Sequence, residues 1–106
     1  KTGYVIGSPK YMAPEQILGK KVDERADVYA IGVMLYEMLT GVPPYSRGDH
    51  MSVMYQHVQG RAKPPREVNP ALAPELSDLV TRAMAVDKTK RFQNMEELSA
   101  ALQKFL

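Results

Sequence analysis

The sequence predicts a mainly α fold, about four main helices behind an irregular amino-terminal loop. Three observations carry this expectation. Apolar side chains recur at helical spacing in four separate stretches, and each stretch opens at an Asp, Asn or Pro suited to a helix start. The first two stop at Gly41 and Gly60, as helices commonly do. No segment alternates apolar and polar residues as a half-buried strand would, since Tyr4-Val5-Ile6 is short and bracketed by glycines.

From Lys1 to Gly19 the punctuation is Gly, Ser and Pro, which reads as an extended loop followed by one helical turn opening at Pro14. Asp23 is a good cap for the first long helix, Glu24 to Thr40, about 26 Å long at ~1.5 Å per residue. Its apolar residues, from Ala26 and Val28 to Met38 and Leu39, cover most of the circumference, so burial on most sides is expected. Asp49 caps a second, amphipathic helix bearing Met51, Val53, Met54, Tyr55 and Val58, with Met54 and Val58 expected to face the core ahead of Met51. Arg61 to Pro74 holds four of the eight prolines and is expected to be an irregular connection. Pro74 then opens a third helix on Leu76, Leu79, Val80, Ala83 and Met84, and Asn94 with Glu97 forms a capping-box variant ahead of Leu98, Ala101, Leu102 and Phe105.

Composition bounds the function. The chain has 106 residues, 44% hydrophobic and 25% charged, which is ordinary for one globular domain at most. A formal net charge of +2 and only two short basic clusters, Lys20-Lys21 and Lys88-Thr89-Lys90-Arg91, do not indicate capture of nucleic acid or of an anionic membrane, and both clusters read as solvated faces. The lack of cysteine excludes disulfides, thiolate metal sites and a cysteine nucleophile, and fits a cytoplasmic domain. The longest apolar stretch, Ala30 to Tyr36, is too short to span a bilayer, and no targeting segment is visible. The chain opens on Lys1 and enters directly into Thr2-Gly3-Tyr4, as a piece cut from something longer would.

Familiar catalytic patterns are missing. No two glycines stand two positions apart, so G-x-G-x-x-G cannot occur, and Gly19-Lys20 lacks the upstream glycine of a phosphate-cradling loop. There is no Gly-x-Ser-x-Gly elbow. His50 and His57 are seven apart, which does not suit a helical metal site, and they are expected as surface or half-buried imidazoles. No residue of the chain is assigned a catalytic, cofactor-binding or metal-binding role.

One string does carry a signature. Gly7-Ser8-Pro9-Lys10-Tyr11-Met12-Ala13-Pro14-Glu15 resembles the end of a protein-kinase activation segment with its A-P-E triplet. It is followed in family order by Asp27-Val28-Tyr29-Ala30-Ile31-Gly32-Val33 through Gly41, by Pro43-Pro44-Tyr45, and by Lys90-Arg91-Phe92. The whole chain thus resembles the later part of the large lobe of a eukaryotic-like serine/threonine protein kinase. Gln16 after A-P-E and the Tyr55-Gln56-His57-Val58 helix look similar to bacterial members. In these terms residues 1–106 form one partial domain, with 1–19 the end of the activation segment and 20–106 the helical subdomain. The sequence contains no Gly-rich loop, V-A-I-K lysine, H-R-D or D-F-G, so ATP and Mg²⁺ belong to the parent and not to this piece.

The resemblance implies roles for particular residues. Thr2 lies where such kinases are phosphorylated, a change of about −1.5 to −2 in charge that orders the loop. Gly7 and Ser8 fall where family members form the floor for the substrate residue after the phosphoacceptor. Glu15 and Arg91 match the ion pair that ties the A-P-E turn to the helical subdomain, a task suited to a planar guanidinium. Asp27 matches the aspartate that anchors the catalytic loop, and without that loop an orphaned carboxylate is expected. The Asp49 to Gln59 helix corresponds to a surface used for docking substrates or other kinases.

Two functions remain open at this level. One is the substrate-positioning and regulatory half of a Ser/Thr kinase, inactive alone, with protein substrates as partners of the parent. The other is a helical protein-interaction module from a pseudokinase-like protein. Because three helices and a loop do not readily enclose the long helix, self-association by face-to-face packing or domain exchange is expected.

Overall fold

A computed structural model of the chain describes residues 8–106. Six α-helices and two 3₁₀ turns occur among these residues, with no strand: α1 Pro14–Ile17, α2 Arg25–Thr40, α3 His50–Gln59, α4 Pro65–Val68, α5 Pro74–Ala83 and α6 Met95–Gln103, with 3₁₀ turns at Pro9–Tyr11 and Lys88–Lys90. Thr2, Gly7 and the Tyr4-Val5-Ile6 stretch lie outside the described residues.

The helix ends follow local chemistry. Asp49 accepts the Ser52 N–H at 2.9 Å and Asn94 accepts the Glu97 N–H at 2.8 Å, each side chain replacing a partner that a helix start lacks. Glu97 returns its carboxylate to the N–H of Gln93, one residue ahead of the cap, at 2.8 Å. Asp23 acts differently from expectation. It accepts the Arg25 N–H at 2.9 Å and grips the Arg25 guanidinium, so α2 begins at Arg25 and Glu24 takes the cap position. Gly41 and Gly60 close α2 and α3 with φ of 83° and 68°, a left-handed conformation that costs glycine nothing in sterics. At Gly60 a side chain would also run into Val86.

The connection from Arg61 to Pro74 is not wholly irregular. Pro64 and Pro65 carry the chain into α4, because Pro65 occupies the first helical position, where a missing N–H does no harm. The Arg66 N–H is held by Ser77 Oγ of α5 at 3.2 Å, and Asn69 Nδ2 donates to the Leu39 carbonyl at the end of α2 at 2.9 Å.

Helix α2 is the axis of the bundle. On one side Val28 and Tyr36 pack with Leu79, Val80 and Ala83 of α5, Leu98 of α6, and Phe92. On the other, Tyr29 and Val33 pack with Ala13, Ala26 and the partly buried Tyr11 and Val22. Gly32 lets α5 approach closely, since a Cβ there would lie 2.9 Å from the Ala83 Cβ. Burial of α2 on most sides agrees with its all-round apolarity, and the amino-terminal segment supplies one of the covering faces. Met34 and Met38, one turn apart, are the large apolar side chains of α2 left open, 42% and 78% exposed. On α3 the buried residues are Val53 and His57, while Met54 and Val58 lie at intermediate depth and Met51 is exposed.

Candidate functional site: the Ser8 to Leu18 segment and its anchors

The segment that the sequence singled out is held from beneath by one arginine. Arg91 is 1% exposed, follows the 3₁₀ turn at Lys88–Lys90, and its guanidinium has five N–H donors. All five are used. Nη1 and Nη2 each reach one Glu15 carboxylate oxygen at 2.7 Å, a planar two-pronged pair between positions 76 apart in sequence. Nε donates to the Ala85 carbonyl at 2.7 Å, while Nη1 and Nη2 donate again to the carbonyls of Arg25 at 2.9 Å and Val86 at 3.2 Å. The guanidinium also lies 4.9 Å from the centre of the Tyr29 ring, on which a cation is attracted to the negative face. Both charges of the pair are buried, Glu15 being only 6% exposed.

Tyr29 continues this polar column. Its hydroxyl meets His57 Nδ1 at 2.5 Å, and burial pushes its ionisation above the usual phenol range. His57 is fully buried, contrary to the expectation of a surface or half-buried ring, because it shares the inward stripe of α3 with Val53 four residues earlier. The ring of Tyr45 packs edge-on to the imidazole with centroids 4.7 Å apart, and the Tyr45 hydroxyl accepts the Ala62 N–H at 3.1 Å. Burial holds His57 down to about 4, opposed in part by the backbone of Lys10. Among the described residues Nε2 has no partner within hydrogen-bond geometry. With Nδ1 accepting from Tyr29, the proton of the neutral ring sits on Nε2.

Ser8 stands at the other end of the segment. It is exposed, its Oγ accepts the Lys10 N–H at 3.3 Å, and Pro9 opens the 3₁₀ turn that follows. That turn is tied to α2 through Glu37, whose carboxylate takes Lys10 Nζ at 3.0 Å and the Tyr11 hydroxyl at 3.3 Å. The contact raises the Lys10 ammonium above its ordinary range. Ser8, Pro9 and Lys10 form one wall of an open cleft of about 290 Å³, completed by Pro43, Tyr45 and Val53. The cleft offers an apolar floor with a hydroxyl and a cation at its edge, a surface suited to a short length of extended peptide.

The structure therefore brings Glu15 and Arg91 together and leaves Ser8 exposed ahead of a turn tied to Glu37. Asp27 is exposed and is not without a partner, so the expectation of an orphaned carboxylate is not met. Lys10, Tyr29, Glu37, Tyr45 and His57 were not identified from sequence. The His57 position was signalled by its i+4 spacing from Val53, but no local pattern pairs Lys10 with Glu37. Among the described residues, no group of His, Asp and Glu side chains could hold a metal ion, and no helix is long and apolar enough to cross a membrane.

A helical subdomain whose A-P-E turn is tied down by a buried Glu–Arg pair is the arrangement that the resemblance to a kinase large lobe implied. A model of the protein kinase domain matches residues 1–103, and the chain belongs to this family. It is 47% identical over its full length to the tyrosine-protein kinase MasK of Myxococcus xanthus. It is 40% identical over 97 residues to the serine/threonine-protein kinase PksC of Streptomyces coelicolor, and 41% over 102 residues to the serine/threonine-protein kinase PknB of Mycolicibacterium smegmatis. These alignments take in 100%, 92% and 96% of the chain but only 16%, 17% and 16% of the relatives, so the chain spans about one sixth of their length.

Two predictions follow from the anchors. Arg91→Ala strands the buried Glu15 carboxylate and removes the donor to the Ala85 and Val86 carbonyls, and is expected to cost about 3–5 kcal/mol, the scale for breaking a buried pair. In thermal unfolding the midpoint should fall by roughly 10 °C or more, with Arg91→Lys recovering less than half because one ammonium cannot serve five acceptors. A shift of a degree or so would show that the pair is energetically idle.

His57 predicts a pH dependence. Its folded value of about 4 lies below the ordinary 6.5, so the folded state binds fewer protons between them. Stability is then full above pH 6.5, falls as pH drops toward 4, and levels off below that, a loss on the order of 3 kcal/mol. Asp23, held near 2 chiefly by its hydrogen bond from Arg25, adds a further loss only below its ordinary 3.8. Urea unfolding at pH 8, 6 and 4.5 should show this slope in the wild type and a flattened one in His57→Gln. Equal slopes would assign the acid sensitivity elsewhere.

Proposed function

We propose that this chain is the substrate-positioning and regulatory half of a serine/threonine protein kinase, whose parent transfers the γ-phosphoryl of ATP to hydroxyls of protein substrates. The observation that carries this reading is the Arg91–Glu15 pair, which fixes the A-P-E turn within the segment whose Ser8 end, tied to Glu37 through Lys10 and Tyr11, forms one wall of a peptide-sized cleft. ATP and Mg²⁺ would be held by Gly-rich, H-R-D and D-F-G elements that this sequence does not contain, so the piece by itself is expected to be inactive. Gly7 and Ser8 would shape the floor for the residue after the phosphoacceptor. Thr2 would be the regulatory phosphosite, and Asp27 would meet the catalytic loop. A cytoplasmic location is part of the same proposal, since ATP would be available to the parent there.

The acceptor is assigned as serine or threonine, although the relative at 47% identity is named a tyrosine kinase. The test is to incubate the intact gene product with ATP, Mg²⁺ and a generic basic protein substrate and to identify the phosphorylated residues by mass spectrometry. Phosphoserine or phosphothreonine, reduced several-fold by Thr2→Ala, is the expected result. Transfer to tyrosine alone would overturn the acceptor assignment. No transfer at all would favour the pseudokinase-like interaction module.

We propose further that the chain on its own self-associates through the Met34 and Met38 stripe of α2, the surface that the rest of a kinase domain would otherwise cover. Sedimentation of the 106-residue chain is expected to show a concentration-dependent dimer that Met38→Glu weakens. A monomer at all concentrations would sink the idea.

A further inference from the structure

The two lysine clusters, unremarkable in sequence, are brought by the fold to one place. Lys88 Nζ donates to the Lys21 carbonyl across 67 positions at 3.0 Å and lies 4.0 Å from the Asp23 carboxylate, which joins the segment after α1 to the loop before Arg91. Between them runs a cleft of about 560 Å³, separate from the one beside Ser8. Its floor is apolar, with Pro14 and Ala85 below and Leu18 and Val86 standing 51% and 40% exposed. Lys20 and Lys90 line it and are exposed, and neither forms an ion pair among the described residues.

The acidic groups nearby are already engaged. Glu15 is bound to Arg91 and Asp23 to Arg25, while Asp87, which also lines the cleft, accepts the Thr89 N–H and hydroxyl at 2.9 and 2.7 Å and keeps its charge, so Lys20, Lys88 and Lys90 outnumber it. What the cleft offers a ligand is therefore positive charge at its edges and hydrocarbon between. A free anion would use only the lysines, which are exposed and weak by themselves. Nucleic acid would want aromatic faces or a long basic track, and among the described residues no aromatic lines this cleft. An acidic peptide bearing one apolar side chain uses both features at once.

We propose that this cleft docks an acidic segment of a partner protein, with an apolar side chain on the Leu18 and Val86 floor and flanking carboxylates on Lys20 and Lys90. The proposal does not depend on phosphoryl transfer. The occupant bridges the two segments that Arg91 joins from within, the α1 turn and the loop around Ala85 and Val86.

The test is fluorescence polarisation with the intact gene product and a fluorescein-labelled peptide of six glutamates around a central leucine, at about 50 mM salt, where surface charges are least screened. Binding is expected, with affinity reduced at least tenfold by the Lys20→Glu/Lys90→Glu double variant, by Leu18→Ser, and by serine in place of the peptide's leucine. These positions are exposed, and unchanged melting of the variants keeps loss of binding distinct from loss of fold. The proposal is overturned by no binding to the intact protein, by binding that the substitutions leave unaltered, by equal affinity for the leucine-free peptide, or by equal affinity for a short single-stranded DNA.

Discussion

The guanidinium of Arg91 is the constraint on which the rest of the arrangement depends. A charge so deeply buried is tolerable only if every donor finds an acceptor, and here the five acceptors come from α1, from the first residue of α2 and from the loop at Ala85 and Val86. Three stretches remote in sequence must therefore stand in one relative position before the site is satisfied. A well-packed apolar group of the same volume would hold the same space with less desolvation cost, yet it would not demand a particular orientation of the Glu15 turn. Geometry, rather than net stability, is what an ion pair supplies at this place.

The order imposed at Arg91 passes outward through Tyr29 and His57. The tyrosine ring carries the guanidinium on its face and binds the imidazole through its hydroxyl, so α2 and α3 are joined by a polar column inside an otherwise apolar bundle. The surroundings of the column favour a neutral His57. A proton on Nδ1 would turn the ring from acceptor to donor toward Tyr29 and would place a second cation near Arg91, with Tyr45 and Val53 supplying no counter-charge. The hydrocarbon around His57 is what keeps the proton away.

Much of the local structure was legible in sequence because it is encoded locally. Asp49, Pro74 and Asn94 mark helix starts through bonds or backbone angles spanning three or four residues, and Gly41 and Gly60 mark ends through their own φ. Helix α4 was hidden because two adjacent prolines read as punctuation, although the second is acceptable as a first helical residue. Long-range pairs carry no such signal. Lys10 with Glu37, and Tyr29 with His57, lie 27 and 28 positions apart, and nothing in either neighbourhood names the partner. Glu15 and Arg91 were paired in advance only because the motifs around them resemble a known family. The enclosure of α2 rests on contacts of the same long-range kind. The amino-terminal segment has no apolar periodicity to mark it as a covering layer, yet Ala13 and Tyr11 pack against Tyr29 and Val33 of α2.

The Ser8 to Lys20 segment lies between two clefts and is fastened at two points, Lys10 and Tyr11 to Glu37 and Glu15 to Arg91. A segment held in this way has little freedom to relay a small displacement from one cleft to the other. Coupling between ligands at the two clefts requires a second arrangement of the segment to which they bind with different affinity. The deeper fastening resists any such arrangement, because releasing Glu15 from Arg91 strands a buried charge on each side. The shallower one does not, since Lys10 and Glu37 are each about one-third exposed and water can replace either partner. Whatever movement the segment permits is therefore confined to the Ser8 end, with the end beneath Leu18 acting as a fixed base.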